Sequence, residues 1–137
     1  MNRVLLVEDN PDDLELAQLA FARGEHPTAV DVARNGEEAL DYLFAQRREP
    51  PQVVLLDIKL PLVDGIDVLR RIKADPRTRA IPVVMLTSSA QDRDLQACYD
   101  LGVNSYIVKP VDMEQFMAAV NNIGVYWLGL NLTNQHS

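Results

Sequence analysis

The chain predicts an α/β domain, a doubly wound five-stranded parallel sheet, on three observations. Apolar runs of strand length alternate five times with segments of helical period, the pattern of a parallel sheet covered on both faces. The central run, Gln52-Val53-Val54-Leu55-Leu56-Asp57, is continuously apolar up to its last residue, as a strand buried on both sides must be. Several runs end on a polar or charged residue, and in such sheets ligands sit beyond the carboxyl ends of the strands.

The elements follow in order. Arg3 to Val7 is the first strand and ends in Glu8-Asp9. Asn10-Pro11-Asp12-Asp13 starts a helix, with Asn as N-cap, Pro at the first position and acids in the positive first turn. Leu14, Ala17 and Phe21 lie on its core stripe, and Gly24 is expected to close it. Thr28 to Ala33 is a short strand with Val30 and Val32 on one face. Asn35-Gly36 turns the chain into a helix led by Glu37-Glu38, with Leu40, Leu43 and Phe44 expected inward and Arg47-Arg48 at its negative end.

After Asp57, the stretch Ile58-Lys59-Leu60-Pro61-Leu62-Val63-Asp64-Gly65 reads as a loop by its proline and glycine, and Asp64 is expected to cap a third helix with Val68, Leu69 and Ile72 inward. Asp75-Pro76 ends that helix. Ile81 to Leu86 is the fourth strand and leads to Thr87, with Pro82 tolerated only near the strand start. A fourth helix is expected from Asp92 to Leu101, with Gly102 just past its end. Tyr106-Ile107-Val108 is the fifth strand, followed by Lys109-Pro110. Asp112 and Gln115 open the last helix in the manner of a capping box, and Met113, Phe116, Met117, Val120 and Ile123 form its core stripe.

Length and composition restrict the function. A chain of 137 residues with 47% apolar content is one domain with a real core. A formal charge of −7 argues against a nucleic-acid face. The single cysteine, Cys98, excludes an internal disulfide or a multi-cysteine metal site, and its helical setting points to an inert structural thiol. With no signal peptide and no long apolar span, a cytoplasmic setting and no membrane contact are expected. His26 and His136 have no ligand-like neighbours and receive no role.

The carboxyl-end rule turns the strand ends into a site. Glu8, Asp9, Asp57, Thr87 and Lys109 should meet at one mouth. Three carboxylates crowded together repel unless a cation bridges them, and an all-oxygen set suits Mg²⁺. A lysine and a hydroxyl beside that metal suit the oxygens of a transferred phosphoryl group. Singly, each residue has an ordinary alternative: Glu8-Asp9 as helix-start acids, Thr87 as a turn cap beside Ser88-Ser89, Lys109 as a solvated lysine, Tyr106 as an amphipathic strand residue.

Together, Glu8-Asp9, Asp57, Leu60-Pro61 with Asp64-Gly65, Thr87 and Lys109-Pro110 resemble the receiver domain of bacterial two-component response regulators, over about residues 3 to 125. The resemblance implies a flavodoxin-like (βα)₅ sheet of order 2-1-3-4-5, with a cis peptide at Lys109-Pro110. It makes Asp57 the phosphoacceptor, Asp9 a direct Mg²⁺ ligand, Glu8 an acid acting through water, and the backbone carbonyl of Lys59 a further ligand. Thr87 and Lys109 would bind phosphoryl oxygens, and Tyr106 would be the aromatic switch on an output face of helix four, strand five and helix five. The implied partner is a sensor histidine kinase, and the receiver catalyses its own phosphorylation and dephosphorylation without being an enzyme in the usual sense.

Three alternatives fit less well. A phosphohydrolase of the haloacid-dehalogenase type needs an acid two residues beyond its nucleophile, where this chain has Lys59, and carries that nucleophile on the first motif strand. A flavin- or dinucleotide-binding module needs a phosphate loop after strand one, which is missing. A pseudo-receiver working without phosphorylation usually lacks one of the site residues, and here none is missing.

Residues 1–125 are expected to form the receiver and residues 126–137 an extension of the last helix plus a tail, a stand-alone receiver without a recognition helix. Val125-Tyr126-Trp127-Leu128-Gly129-Leu130-Asn131-Leu132 is apolar nearly all round, which implies a second partner surface. Tyr126, Trp127, Leu128, Leu130 and Leu132 are therefore expected at a homodimer interface. The Tyr126-Trp127-Leu128 ending resembles the small regulators that serve phytochrome-type kinases.

Overall fold

In the computed structural model, which describes residues 2–23, 28–45, 49–103 and 105–122, five parallel strands alternate with helices. The strands are β1 (Asn2–Val7), β2 (Thr28–Ala33), β3 (Val53–Asp57), β4 (Val83–Thr87) and β5 (Ser105–Val108), in the order β2-β1-β3-β4-β5. The helices are α1 (Pro11–Ala22), α2 (Gly36–Leu40, continuing into a π-helical turn Asp41–Ala45), α3 (Gly65–Ala74), α4 (Asp94–Asp100) and α5 (Met113–Asn122). The expected sheet and its strand order are thus both present.

Because strand side chains alternate, the sheet has two cores. Val4, Leu6, Val53, Leu55, Val84, Leu86 and Ile107 face α1 and α5, meeting Leu14, Ala17, Phe21, Phe116 and Val120. Phe21 and Phe116 meet edge to face with centroids 4.8 Å apart, tying the two helices together. Leu5, Val7, Val54, Leu56, Val83 and Met85 face the other way, onto Ala39, Tyr42, Val68, Leu69, Ile72, Leu95 and Cys98. Both faces of the central strands are therefore buried, which is why their sequences are apolar throughout.

The local signals mostly act as read. Asn10 caps α1, its Oδ1 accepting from the N–H of Asp12 and Asp13. Gly102 takes φ +102, the Gly102 N–H reaches the Tyr99 carbonyl and the Val103 N–H reaches Cys98, the paired bonds that close a helix around a left-handed glycine. The Gln115 N–H donates to Asp112 Oδ1 at 2.7 Å.

Three expectations change. In α2 the inward residues are Ala39 and Tyr42, while Phe44 lies beneath the guanidinium groups of Arg71 and Arg77. The π-helical turn winds wider than 3.6 residues, so the stripe expected through Leu43 and Phe44 rotates away; Leu40 and Leu43 only pack at its margin. Asp64 sits at the N-cap of α3 but makes no side-chain capping bond. Instead the Gly65 N–H donates to the Ile58 carbonyl, docking the helix start on the end of β3. Helix α4 begins at Asp94 with Arg93 at its N-cap, and Asp92 lies in the turn before it, its Oδ1 accepting the Asp94 N–H at 2.8 Å. The expectations for Gly24, His26, Arg47-Arg48, Ile123 and the Tyr126–Leu132 surface lie outside the described residues.

Candidate functional site

Sheet register brings the site together. Val7 is level with Ala33 and Leu56, Asp57 with Leu86, and Thr87 with Val108. Ladder-like bonds continue one step past the strands: Glu8 N–H to Ala33, Ile58 N–H to Leu86, and Lys109 N–H to Thr87. Glu8, Asp57, Thr87 and Lys109 are thereby held along one edge by backbone, not by flexible loop.

Lys109 is the centre of the cluster. Its Nζ lies 2.7 Å from Asp57 Oδ2, 2.9 Å from Glu8 Oε1 and 3.3 Å from Asp13 Oδ2, with the side chain 15% exposed. A solvated surface lysine is ruled out by that burial. The peptide bond between Lys109 and Pro110 is cis, as the resemblance implies. The other oxygen of Asp57 accepts the Lys59 N–H at 3.1 Å, and Glu8 Oε2 accepts the Asn10 N–H at 3.1 Å.

Asp9 completes the acidic group from the exposed side. One carboxylate oxygen each from Glu8, Asp9 and Asp57 lies within 4.8 Å of the others. Burial of Glu8, together with the neighbouring Asp57, pushes its carboxyl up to about 7, although Lys109 and the Asn10 N–H pull the other way. For Lys109, burial favours the neutral amine but is outweighed by its bonds to Asp57 and Glu8, so its pKa is raised. A site in which one lysine fails to offset two buried carboxylates and an exposed third has room, in charge, for a further cation. Its all-oxygen donor set matches a hard divalent ion.

Close packing below the site explains two glycines. A Cβ on Gly65 would come 2.0 Å from the Asp57 carbonyl oxygen, and one on Gly36 would come 2.0 Å from the Val63 carbonyl oxygen. The β3–α3 loop is thereby clamped between the starts of α2 and α3. At its tip Leu62 takes φ +69 and is exposed.

Thr87 is buried at the end of β4, where its hydroxyl donates to the Ser89 carbonyl at 2.9 Å and lies 3.4 Å from Asp92 Oδ2. Tyr106 is half-buried on β5, edge to face with Tyr99 of α4 at 6.5 Å. The side chain of Lys59 turns to the surface and pairs with Asp94 at 2.6 Å. Two of these partners were not anticipated from sequence. Asp13 read as a helix-start acid, yet it reaches Lys109. Asp92 read as the first residue of a helix, yet it joins Thr87 to the start of α4.

Residues 4–121 match the model of the response regulator receiver domain. A curated relative, the probable methanogenesis regulatory protein FilR2 of Methanothrix harundinacea, is 46% identical over 93% of this chain and 84% of its own length. The structure of the bacteriophytochrome response regulator AtBRR superposes with a TM-score of 0.86 at 49% identity, covering 93% of this chain and 95% of that one. The Mn²⁺-bound form of response regulator Rcp1, a protein of Synechocystis, gives a TM-score of 0.75 at 34% identity over 93% and 95% of the two chains. The chain belongs to the response regulator receiver family.

Proposed function

We propose that this receiver is a phosphorylation switch, taking a phosphoryl group from the phosphohistidine of a sensor kinase onto Asp57. The observation that carries the reading is the Lys109 ammonium seated 2.7 Å from one oxygen of a buried Asp57, beside two further carboxylates. Receiver domains are signalling modules, and the chemistry assigned here is self-catalysed transfer and hydrolysis. A carboxylate oxygen of Asp57 forms the new O–P bond as the donor's P–N bond breaks. The electron pair leaves with the imidazole, which takes up a proton. Glu8, Asp9, Asp57 and the Lys59 carbonyl would hold Mg²⁺, which neutralises phosphoryl charge when bound. Lys109 meets a phosphoryl oxygen and keeps its charge throughout. Thr87 meets another, leaving Ser89 and Asp92, so that α4 and Tyr106 shift to a second arrangement of the α4–β5–α5 face.

The likeness to AtBRR supports a phytochrome-type histidine kinase as the partner. Phosphorylated kinase mixed with the receiver should lose label to the wild-type chain and not to Asp57→Asn; transfer to both would end the reading. Homodimerisation through Tyr126, Trp127, Leu128, Leu130 and Leu132 is part of the proposal, on the strength of their apolar sequence. Residues 1–125 are assigned to the receiver and 126–137 to that extension. Truncation after Ile123 should give a folded monomer, and a monomeric full-length chain at tens of micromolar, phosphorylated or not, would remove the dimer.

A further inference from the structure

The ammonium of Lys109 has three N–H donors and three carboxylates around it. Two of these, on Glu8 and Asp57, also belong to the acidic trio, so a cation and a phosphoryl group both compete for them. The third, on Asp13, stands outside that trio. It is carried by the first turn of α1, where the Asp13 N–H is pinned to Asn10 Oδ1 at 3.0 Å, and its side chain is 30% exposed. We infer that Asp13 is a positioning residue for phosphoryl transfer, the one partner that holds the Lys109 ammonium at the mouth while Glu8 and Asp57 are engaged elsewhere. The inference rests on the reading of Asp57 as phosphoacceptor.

The physical reason is the lysine itself. Its charge sits on a flexible four-carbon stem, so its place depends on what it pairs with. Without Asp13, Nζ settles on Glu8 and Asp57, where it opposes the incoming cation, or swings to solvent. In either place it is misaligned with the phosphoryl oxygen it must meet, and misplacements of about 1 Å cost up to roughly 100-fold in rate. Asp12 supplies the control. It is exposed in the same helical turn and carries the same charge, but the carboxylates paired with Lys109 are those of Glu8, Asp13 and Asp57.

The test is the rate of phosphorylation by phosphoramidate at saturating Mg²⁺, read as labelled protein over time, with the melting temperature of each variant as a check on folding. Asp13→Asn, nearly isosteric, should be about tenfold slower than wild type and than Asp12→Asn, and Asp13→Glu should recover most of the loss. In a Lys109→Met background the Asp13→Asn change should have no further effect, because the two act as one unit. Equal rates for Asp13→Asn and Asp12→Asn would overturn the inference while leaving Asp57 as acceptor. So would a full tenfold loss in the Lys109→Met background. A wild-type chain that takes no label at all would sink the acceptor reading and the inference with it.

Discussion

The Thr87 hydroxyl donates to the Ser89 carbonyl at 2.9 Å, and Asp92, 3.4 Å from the same hydroxyl, accepts the N–H of Asp94, the first residue of α4. Thr87 is therefore committed to the β4–α4 turn, and any group on Asp57 that attracts its hydroxyl must break that arrangement. Thr87→Ala should still take phosphate on Asp57 but leave the α4–β5–α5 face unchanged, whereas Thr87→Ser should switch. The resonances of Tyr99 and Tyr106, followed before and after addition of a phosphate mimic, read this directly. Normal shifts in Thr87→Ala would remove Thr87 from the coupling.

Glu8 gives the metal-free protein a pH dependence of known sign. Its carboxyl titrates near 7 when folded, against 4.5 ordinarily, because it is buried and faces Asp57. Between those values the folded chain holds a proton that the unfolded chain has lost. The contribution of Glu8 is thus fully present below about pH 4.5 and is lost as pH rises through about 7, a total of roughly 3 kcal/mol. Metal-free stability should fall over that window and flatten in Glu8→Gln. Mg²⁺ affinity should rise over the same window, since binding needs the carboxylate. Denaturant titrations at pH 5 and 7.5 check both, and equal stability at the two values in wild type would contradict the assignment.

How much of this was legible beforehand differs by residue. Asp57, Glu8, Thr87 and Lys109 end or follow strands whose apolar runs are continuous, so the strand ends, and with them the mouth, were readable from sequence. Asp13 and Asp92 were not, because an acid at a helix start already has a local reason to be there. The face of α2 was misjudged because a π-helical turn leaves no mark in a 3.6-residue period. Gly65 read only as a loop signal, and its contact with the Asp57 carbonyl depends on how α3 docks.

Two glycines should fail for different reasons. Gly65→Ala drives a methyl group into the Asp57 backbone and should cost about 3 kcal/mol along with Mg²⁺ affinity, because the acceptor itself is displaced. Gly102→Ala meets open space but must hold φ +102, and should cost about 1 kcal/mol with the metal site intact. Chemical denaturation with and without Mg²⁺ separates them, and a Gly65→Ala protein as stable as wild type would refute the clamp.

Cys98 should be inert. It is buried between α4 and the sheet, and burial with the nearby Asp94 and Asp92 carboxylates raises its thiol to about 11. Iodoacetamide at pH 8 should leave the native protein unmodified and label it once unfolded. Rapid labelling of the native chain would show that α4 opens readily.

The most direct measurement is to incubate the purified protein with a small phosphodonor and Mg²⁺ and to map the hydroxylamine-labile adduct by mass spectrometry. A single adduct on Asp57, absent without Mg²⁺ and absent in Asp57→Asn, is the predicted result. An adduct on another residue, or none with several donors, would contradict the central claim.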